Sequence, residues 1–124
     1  MAEITIEIGK LSFLANIYDT PTGRAIIDAL PFRSSANTWG DEIYFETSAQ
    51  AGLEPGATDE VAIGDLAYWP TMPAFCIFFG STPASHGHEP RAASAVNVFG
   101  KLQDVDLTVL RSVRDGESIR VSRS

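Results

Sequence analysis

The chain has 124 residues, 44% of them apolar, and a formal net charge of −7. That length predicts one domain, residues 1–124, with enough interior for a single core, and no window approaches the ~18 apolar residues of a membrane-spanning helix. An acidic balance of this size repels phosphate backbones and argues against general nucleic-acid binding.

The charge is uneven. Between Asp28 and Asp65 lie eight acids and a single base, Arg33, whereas Lys101 to Ser124 holds five bases and four acids. Solvated faces are the expected outcome, with a docking site on the basic tail as the sharper alternative. The segment Met1-Ala2-Glu3-Ile4-Thr5 has no basic region followed by an apolar run, so no signal peptide is expected. Cys76 is alone and cannot form an internal disulfide. The expected location is cytoplasmic, and no cofactor is implied.

From Glu3 the chain alternates strictly, with Ile4, Ile6 and Ile8 on one face, which predicts a half-buried strand. Gly9-Lys10 predicts a tight turn into a second strand carrying Leu11, Phe13, Ala15 and Ile17 on one face. Thr20-Pro21 predicts a helix start, with Thr20 as cap and Pro21 at the first helical position, and Pro31 ends the helix. Its buried stripe is Ala25, Ile26, Ala29 and Leu30, and Gly23 weakens it.

Asp41 to Glu46 predicts a strand with Ile43 and Phe45 opposite Glu42 and Tyr44. Residues 48–59 predict a loop, Val61 and Ile63 a short strand, and Leu66 to Trp69 another strand. Ala74 to Phe79 is continuously apolar and predicts a strand buried on both faces. A second long loop follows, Gly80 to Arg91, and then a strand from Ser94 to Leu102. Asp106 predicts the cap of a helix that buries Leu107, Leu110 and Val113. Asp115-Gly116 turns into a last strand, with Ile119 and Val121 inward. The pattern is mainly β: about eight short strands in a closed, mostly antiparallel barrel, with two helices capping its ends.

Three stretches carry a family likeness. Val96-Asn97-Val98-Phe99-Gly100-Lys101-Leu102 resembles the Val-Phe-Gly-Lys-Val strand of cyclophilins. Gly64 to Trp69, followed by Phe75-Cys76-Ile77-Phe78-Phe79, resembles their Gly-x-Leu-x-Met-Ala and Gln-Phe-Phe-Ile runs. Tyr18-Asp19-Thr20-Pro21 resembles their Leu-Tyr-x-x-x-x-Pro helix start. With Asn37 to Phe45, Gly64 to Pro70 and Ala93 to Val98, the chain looks like a compact prokaryotic cyclophilin-like family of unknown function. The resemblance implies a barrel. It does not by itself imply peptidyl-prolyl isomerase activity.

The resemblance further implies, for an isomerase, an aromatic pocket and an arginine on the strand after the first helix. Here Ser34 to Glu46 contains no arginine and carries Asp41, Glu42 and Glu46 instead. The Gln-Gly-Gly-Asp motif that follows the arginine in cyclophilins is absent too. Arg33 and Arg91 are the two candidates for a relocated catalytic cation. The aromatic half of the site is better represented. Trp39, Glu42, Tyr44, Tyr68, Trp69 and Phe79 are the candidate ligand-binding cleft, and Glu42 and Tyr44 share a strand face.

His86 and His88 face the same way if the loop is extended, so both imidazoles could reach one metal with Glu89, although a solvated loop is the preferred reading. Cys76 lies in the most apolar strand and reads as an inert core thiol. Neither a nucleophile elbow nor a phosphate loop occurs. The reading is a binding module for an unidentified small molecule or peptide rather than a conventional isomerase, with a divergent isomerase and an interaction subunit as alternatives. A homodimer through an edge strand is a further possibility.

Overall fold

The computed structural model describes residues 2–103 and 106–124. Strands β1 (Ala2–Ile8) and β2 (Leu11–Ile17) form the expected hairpin across Gly9-Lys10, with Ile8 opposite Leu11. Helix α1 (Pro21–Asp28) follows, and the Thr20 hydroxyl accepts the Gly23 amide at 3.0 Å. Gly23 itself lies against the Tyr18 carbonyl, where a Cβ would collide, so its helix-weakening cost is the condition for close packing. Ile26 is fully buried in the main core, while Ala25, Ala29 and Leu30 pack against it only partly.

Beyond the helix come β3 (Phe32–Ser35), β4 (Asn37–Thr38), β5 (Glu42–Glu46), β6 (Thr58–Glu60), β7 (Asp65–Trp69), β8 (Ala74–Phe78), β9 (Arg91–Leu102) and β10 (Ser118–Arg123). The strands β3 and β4 were not expected, and β6 falls at 58–60 rather than at Val61 and Ile63. The segment expected to be a helix after Asp106 is a 3₁₀ turn, Leu107–Ser112, whose Asp106 carboxylate accepts the Thr108 amide at 3.1 Å. Leu110 and Val113 are buried as the spacing implies.

The strands join in the order β3-β10-β1-β2-β9-β7-β8-β5-β4, with β6 paired to β9. Every ladder is antiparallel. The expected closed barrel is not what the backbone pairing forms: the ladder is open, ending on β3 and β4. The reason is connectivity. β3 and β4 are consecutive segments joined through Ala36, whose amide and carbonyl bond to the backbone of Glu117 and Gly116. Two such strands cannot lie side by side. Across the gap the Ser34 hydroxyl donates to the Glu46 carbonyl at 2.8 Å.

Two apolar clusters sit on opposite faces of this sheet. The main one gathers Ile4, Ile6, Ile8, Ile43, Phe45, Leu66, Phe75, Ile77, Phe99, Ile119 and Val121 from strands along the whole path. At its centre Phe75 stacks on Phe45 with centroids 4.7 Å apart and meets Phe99 edge-on at 5.0 Å. The second holds Ala67, Ala74, Cys76, Phe78, Ala92 and Val96. Strand β8 contributes alternate residues to both, as its unbroken apolar run requires.

Strand β9 provides the second cover. From Asn97 onward it pairs with β7, with a register shift around Phe99, while its first half pairs with β6. Asn97 stands at the changeover and is 3% exposed. Its amide donates to the Thr22 hydroxyl (3.0 Å) and the Gly52 carbonyl (2.8 Å), and its oxygen accepts the Glu54 amide (2.9 Å). The Glu54 carboxylate accepts from the Thr22 amide at 3.1 Å and from its hydroxyl. One residue of the signature segment thus ties the start of α1 and the loop before β6 to β9. Asn97→Ala should lower stability by about 2–3 kcal/mol, because buried partners are left unpaired. Urea denaturation checks the loss, and hydrogen exchange should show the amides of residues 50–56 opening first.

Candidate functional site

Residues 39–42 build one wall of a concavity on the second face. Trp39 and Glu42 exchange backbone hydrogen bonds at 3.0 and 3.2 Å across the two-residue turn Gly40-Asp41. Gly40 has φ +60°, which suits the first central position of a hairpin turn. A Cβ there would also press on the Ser81 carbonyl and on Thr82, both 2.9 Å away. The turn is held from outside by the Asp41 amide on the Ser81 carbonyl, 2.8 Å. Trp39 and Glu42 are therefore fixed side by side.

Alternation along β5 puts Glu42 and Tyr44 on the concave side and Ile43 and Phe45 in the main core. Cys76 pairs with Tyr44 in the adjacent strand, and Trp69 comes from the end of β7. The Trp69 indole donates to the Ser94 hydroxyl at 2.7 Å, which fixes the ring. Ala92, Ala93 and Val96 of β9 complete the wall. The cavity measures about 230 Å³.

Trp39, Glu42, Tyr44 and Trp69 thus come together. Tyr68 and Phe79 do not join them and belong to the main core, 2% and 7% exposed. The Tyr68 hydroxyl is occupied by the Ala49 carbonyl at 3.0 Å. Tyr68 adjoins Trp69 on a strand, so the two point to opposite faces. That alternation was available in the sequence. Cys76, Ala92, Ala93 and Val96 were not among the expected lining residues. The signal for Cys76 was its place between Ala74 and Phe78, on the strand face opposite Phe75 and Ile77.

Neither candidate arginine lines this cavity. Arg91 is drawn to Asp59 at 3.2 Å, and to Glu60 and Glu89 at 3.6 Å each. Arg33 is exposed on β3 and lines a larger, more open groove of about 500 Å³ between β3 and β5, with Phe32, Ser34, Glu46 and Met72. That groove is where the open ladder leaves its two ends unpaired. His86 and His88 are exposed. The Glu89 carboxylate accepts the amides of His86 and Gly87, both at 2.8 Å, and these bonds hold its pKa below the usual carboxylate value. Among the described residues no three His, Cys, Asp or Glu side chains gather to hold a metal.

Glu42 is the chemical anomaly of the cavity. It is 6% exposed, and among the described residues its carboxyl has the Cys76 thiol as its side-chain hydrogen-bond partner and no cation paired with it. Burial raises its pKa to about 7, and the neighbouring Cys76 thiol only partly offsets this. Burial, with Glu42 beside it, pushes the Cys76 thiol well above its ordinary value. At about 1.4 kcal/mol per pKa unit, ionising Glu42 in the fold costs about 3 kcal/mol. The folded pKa is raised, so the stability contributed by neutral Glu42 is fully present below its ordinary value of 4.5 and is lost as pH rises through about 7. Glu42→Gln should match the parent protein at pH 5 and exceed it at pH 8 by about 2–3 kcal/mol. Denaturation at the two pH values measures the difference, and equal stabilities at pH 8 would show that Glu42 ionises at no cost.

Comparison with known proteins fits this architecture. A family model described as cyclophilin-like matches residues 2–122. A hypothetical protein from Archaeoglobus fulgidus, AF2241, has a solution structure that superposes with a TM-score of 0.83 at 42% identity, covering 99% of this chain and 95% of that one. McbB, solved in complex with tryptophan, superposes with a TM-score of 0.70 at 14% identity, over 98% of this chain and 44% of that one, and shares the fold. The curated proteins gave no match. With the family model spanning nearly the whole chain and a 42% identical relative of almost equal length, the chain belongs to the cyclophilin-like family.

Proposed function

We propose that this protein is a binding module that takes a small molecule, or one side chain of a peptide, into the cavity beside Glu42. The observation that supports this most is the carboxyl itself. A buried acid whose one donor is the weak Cys76 thiol destabilises the fold when it ionises, and such groups concentrate at functional sites. Here it sits in a concavity walled by Trp39, Tyr44 and Trp69, where an aromatic ligand wall and one polar group meet. The single free Cys76 suits a reducing compartment, which supports a cytoplasmic location.

Isomerase chemistry fits less well. It asks for a cation against the amide, and this cavity presents an acid, while Arg91 is held by Asp59, Glu60 and Glu89. The interaction-subunit reading draws on the 44% of McbB that this fold spans, which places the same fold within a longer chain there.

A fragment screen by NMR against the protein and an Ala93→Trp variant separates these readings. Ala93 is exposed at the cavity wall, so the indole fills the space without entering the main core. Fragments are expected to shift resonances of Trp39 and Trp69 in the parent protein and not in the variant. If no fragment binds, or binding ignores the variant, the cavity is not a binding site. The same protein is expected to leave Xaa-Pro cis–trans exchange at its uncatalysed rate, and acceleration would instead establish a divergent isomerase.

A further inference from the structure

We infer that the cavity selects an alkylated organic ammonium, held over the faces of Trp39, Tyr44 and Trp69 with Glu42 as its counter-ion. This rests on the binding-module reading and narrows it to one ligand chemistry.

The charges decide the sign of the ligand. Glu42 faces the cavity without a cationic partner among the described residues, and the nearby bases are committed: Arg91 to its three acids, and Arg111 to Asp41 at 3.3 Å. Of the other lining groups only Tyr44 on β5 and Cys76 on β8 can titrate, and neither supplies positive charge at neutral pH. β7 presents Trp69, and β9 presents only Ala92, Ala93 and Val96. An anion would meet Glu42 and a chain of net charge −7. A cation meets the carboxylate and three aromatic side chains, whose ring faces attract positive charge through their quadrupole.

The walls decide its substitution. A primary ammonium brings three N–H donors that each need an acceptor. Beyond Glu42 and the Tyr44 hydroxyl the lining side chains are indole, thiol and alkyl carbon. Alkyl groups on nitrogen remove those donors and supply apolar contact for Ala92, Ala93 and Val96. At about 230 Å³ the cavity lies below the roughly 300–1,000 Å³ of sites for drug-sized ligands, so it suits a head group with a short tail.

Burial that holds Glu42 near neutrality makes the binding pH-dependent: the cation binds the ionised form, so its affinity rises with pH. With half-ionisation near pH 7, affinity should rise about tenfold between pH 6 and pH 8, following the competent fraction.

The test is an NMR titration with choline and with its uncharged carbon isostere, 3,3-dimethylbutan-1-ol, at pH 6 and pH 8. Choline is expected to bind at least tenfold tighter than the isostere at pH 8, and to lose most of that advantage at pH 6. Glu42→Gln should abolish the preference and the pH dependence, and Trp69→Ala should weaken choline at both pH values. The same head group can arrive on a free small molecule or on a lysine, so a peptide carrying one trimethyllysine completes the panel. Tighter binding of the peptide assigns a protein side chain as the source, and tighter binding of choline a free small molecule. An isostere that binds as well as choline, or a preference that survives Glu42→Gln, overturns the ammonium inference and leaves the cavity as a binding site. If neither probe binds while other fragments remain sensitive to Ala93→Trp, the inference again falls alone. Loss of all Ala93→Trp-sensitive binding removes both.

Discussion

Strand β8 is apolar at every position, and a strand of that kind needs a cover on each face. Phe75 and Ile77 find theirs in the main core, against Phe45 and Phe99. Ala74, Cys76 and Phe78 look the other way, and that side of a curled sheet would ordinarily meet water. The first half of β9 supplies the missing cover by leaving β7 and laying Ala92 and Val96 over the second cluster. The cavity is a product of this arrangement. Small residues at 92 and 93 leave space between β9 and the sheet, and the aromatic rings of Trp39, Tyr44 and Trp69 edge it.

A strand that leaves its partner must have its backbone and direction fixed where it departs. Asn97 does this at the changeover, with both ends of its amide bonded and its partners drawn from α1 and the loop before β6. Buried polar networks that are fully satisfied favour one arrangement over alternatives, because any slip leaves groups unpaired. The acidic cluster round Arg91 acts at the other end of the same half-strand. It joins Asp59 and Glu60 of the β6 segment to Glu89 of the loop leading into β9. Arg91 and Asn97, read separately in the sequence, bracket the cover over the cavity.

The legible parts of this fold were those written in periodicity. Ile4, Ile6 and Ile8, the hairpin at Gly9-Lys10, the cap at Thr20 and the two-faced run of β8 all follow from local pattern, and the structure has them. Strands β3 and β4 were not legible, because Phe32–Ser35 and Asn37–Thr38 are short, polar and without strict alternation. They exist through their partners β10 and β5. The open ladder was hidden for the same reason, since closure depends on which strands end up at the edges. At the cavity, the pairing of Glu42 with Tyr44 could be read from alternation. The exclusion of Tyr68 follows from the same rule applied to its neighbour Trp69, and the placement of Ala92 and Ala93 depends on β9 changing its partner from β7 to β6.

The position of Glu42 gains meaning from the family it occurs in. A cyclophilin-type isomerase is implied to place an arginine on the strand after the first helix, and in this chain the corresponding segment carries an acid turned into an aromatic-walled cavity. A carboxyl where a cation would otherwise stand would reverse the field that a ligand meets. A carbonyl oxygen drawn to an arginine would be repelled by ionised Glu42, whereas a positive group would be held. The same burial that makes ionisation costly makes the carboxylate strong once a counter-charge arrives, since few water dipoles remain to screen the pair. In a fold that hosts many functions, the charge buried in a cavity is thus one determinant of the class of ligand that would fit it.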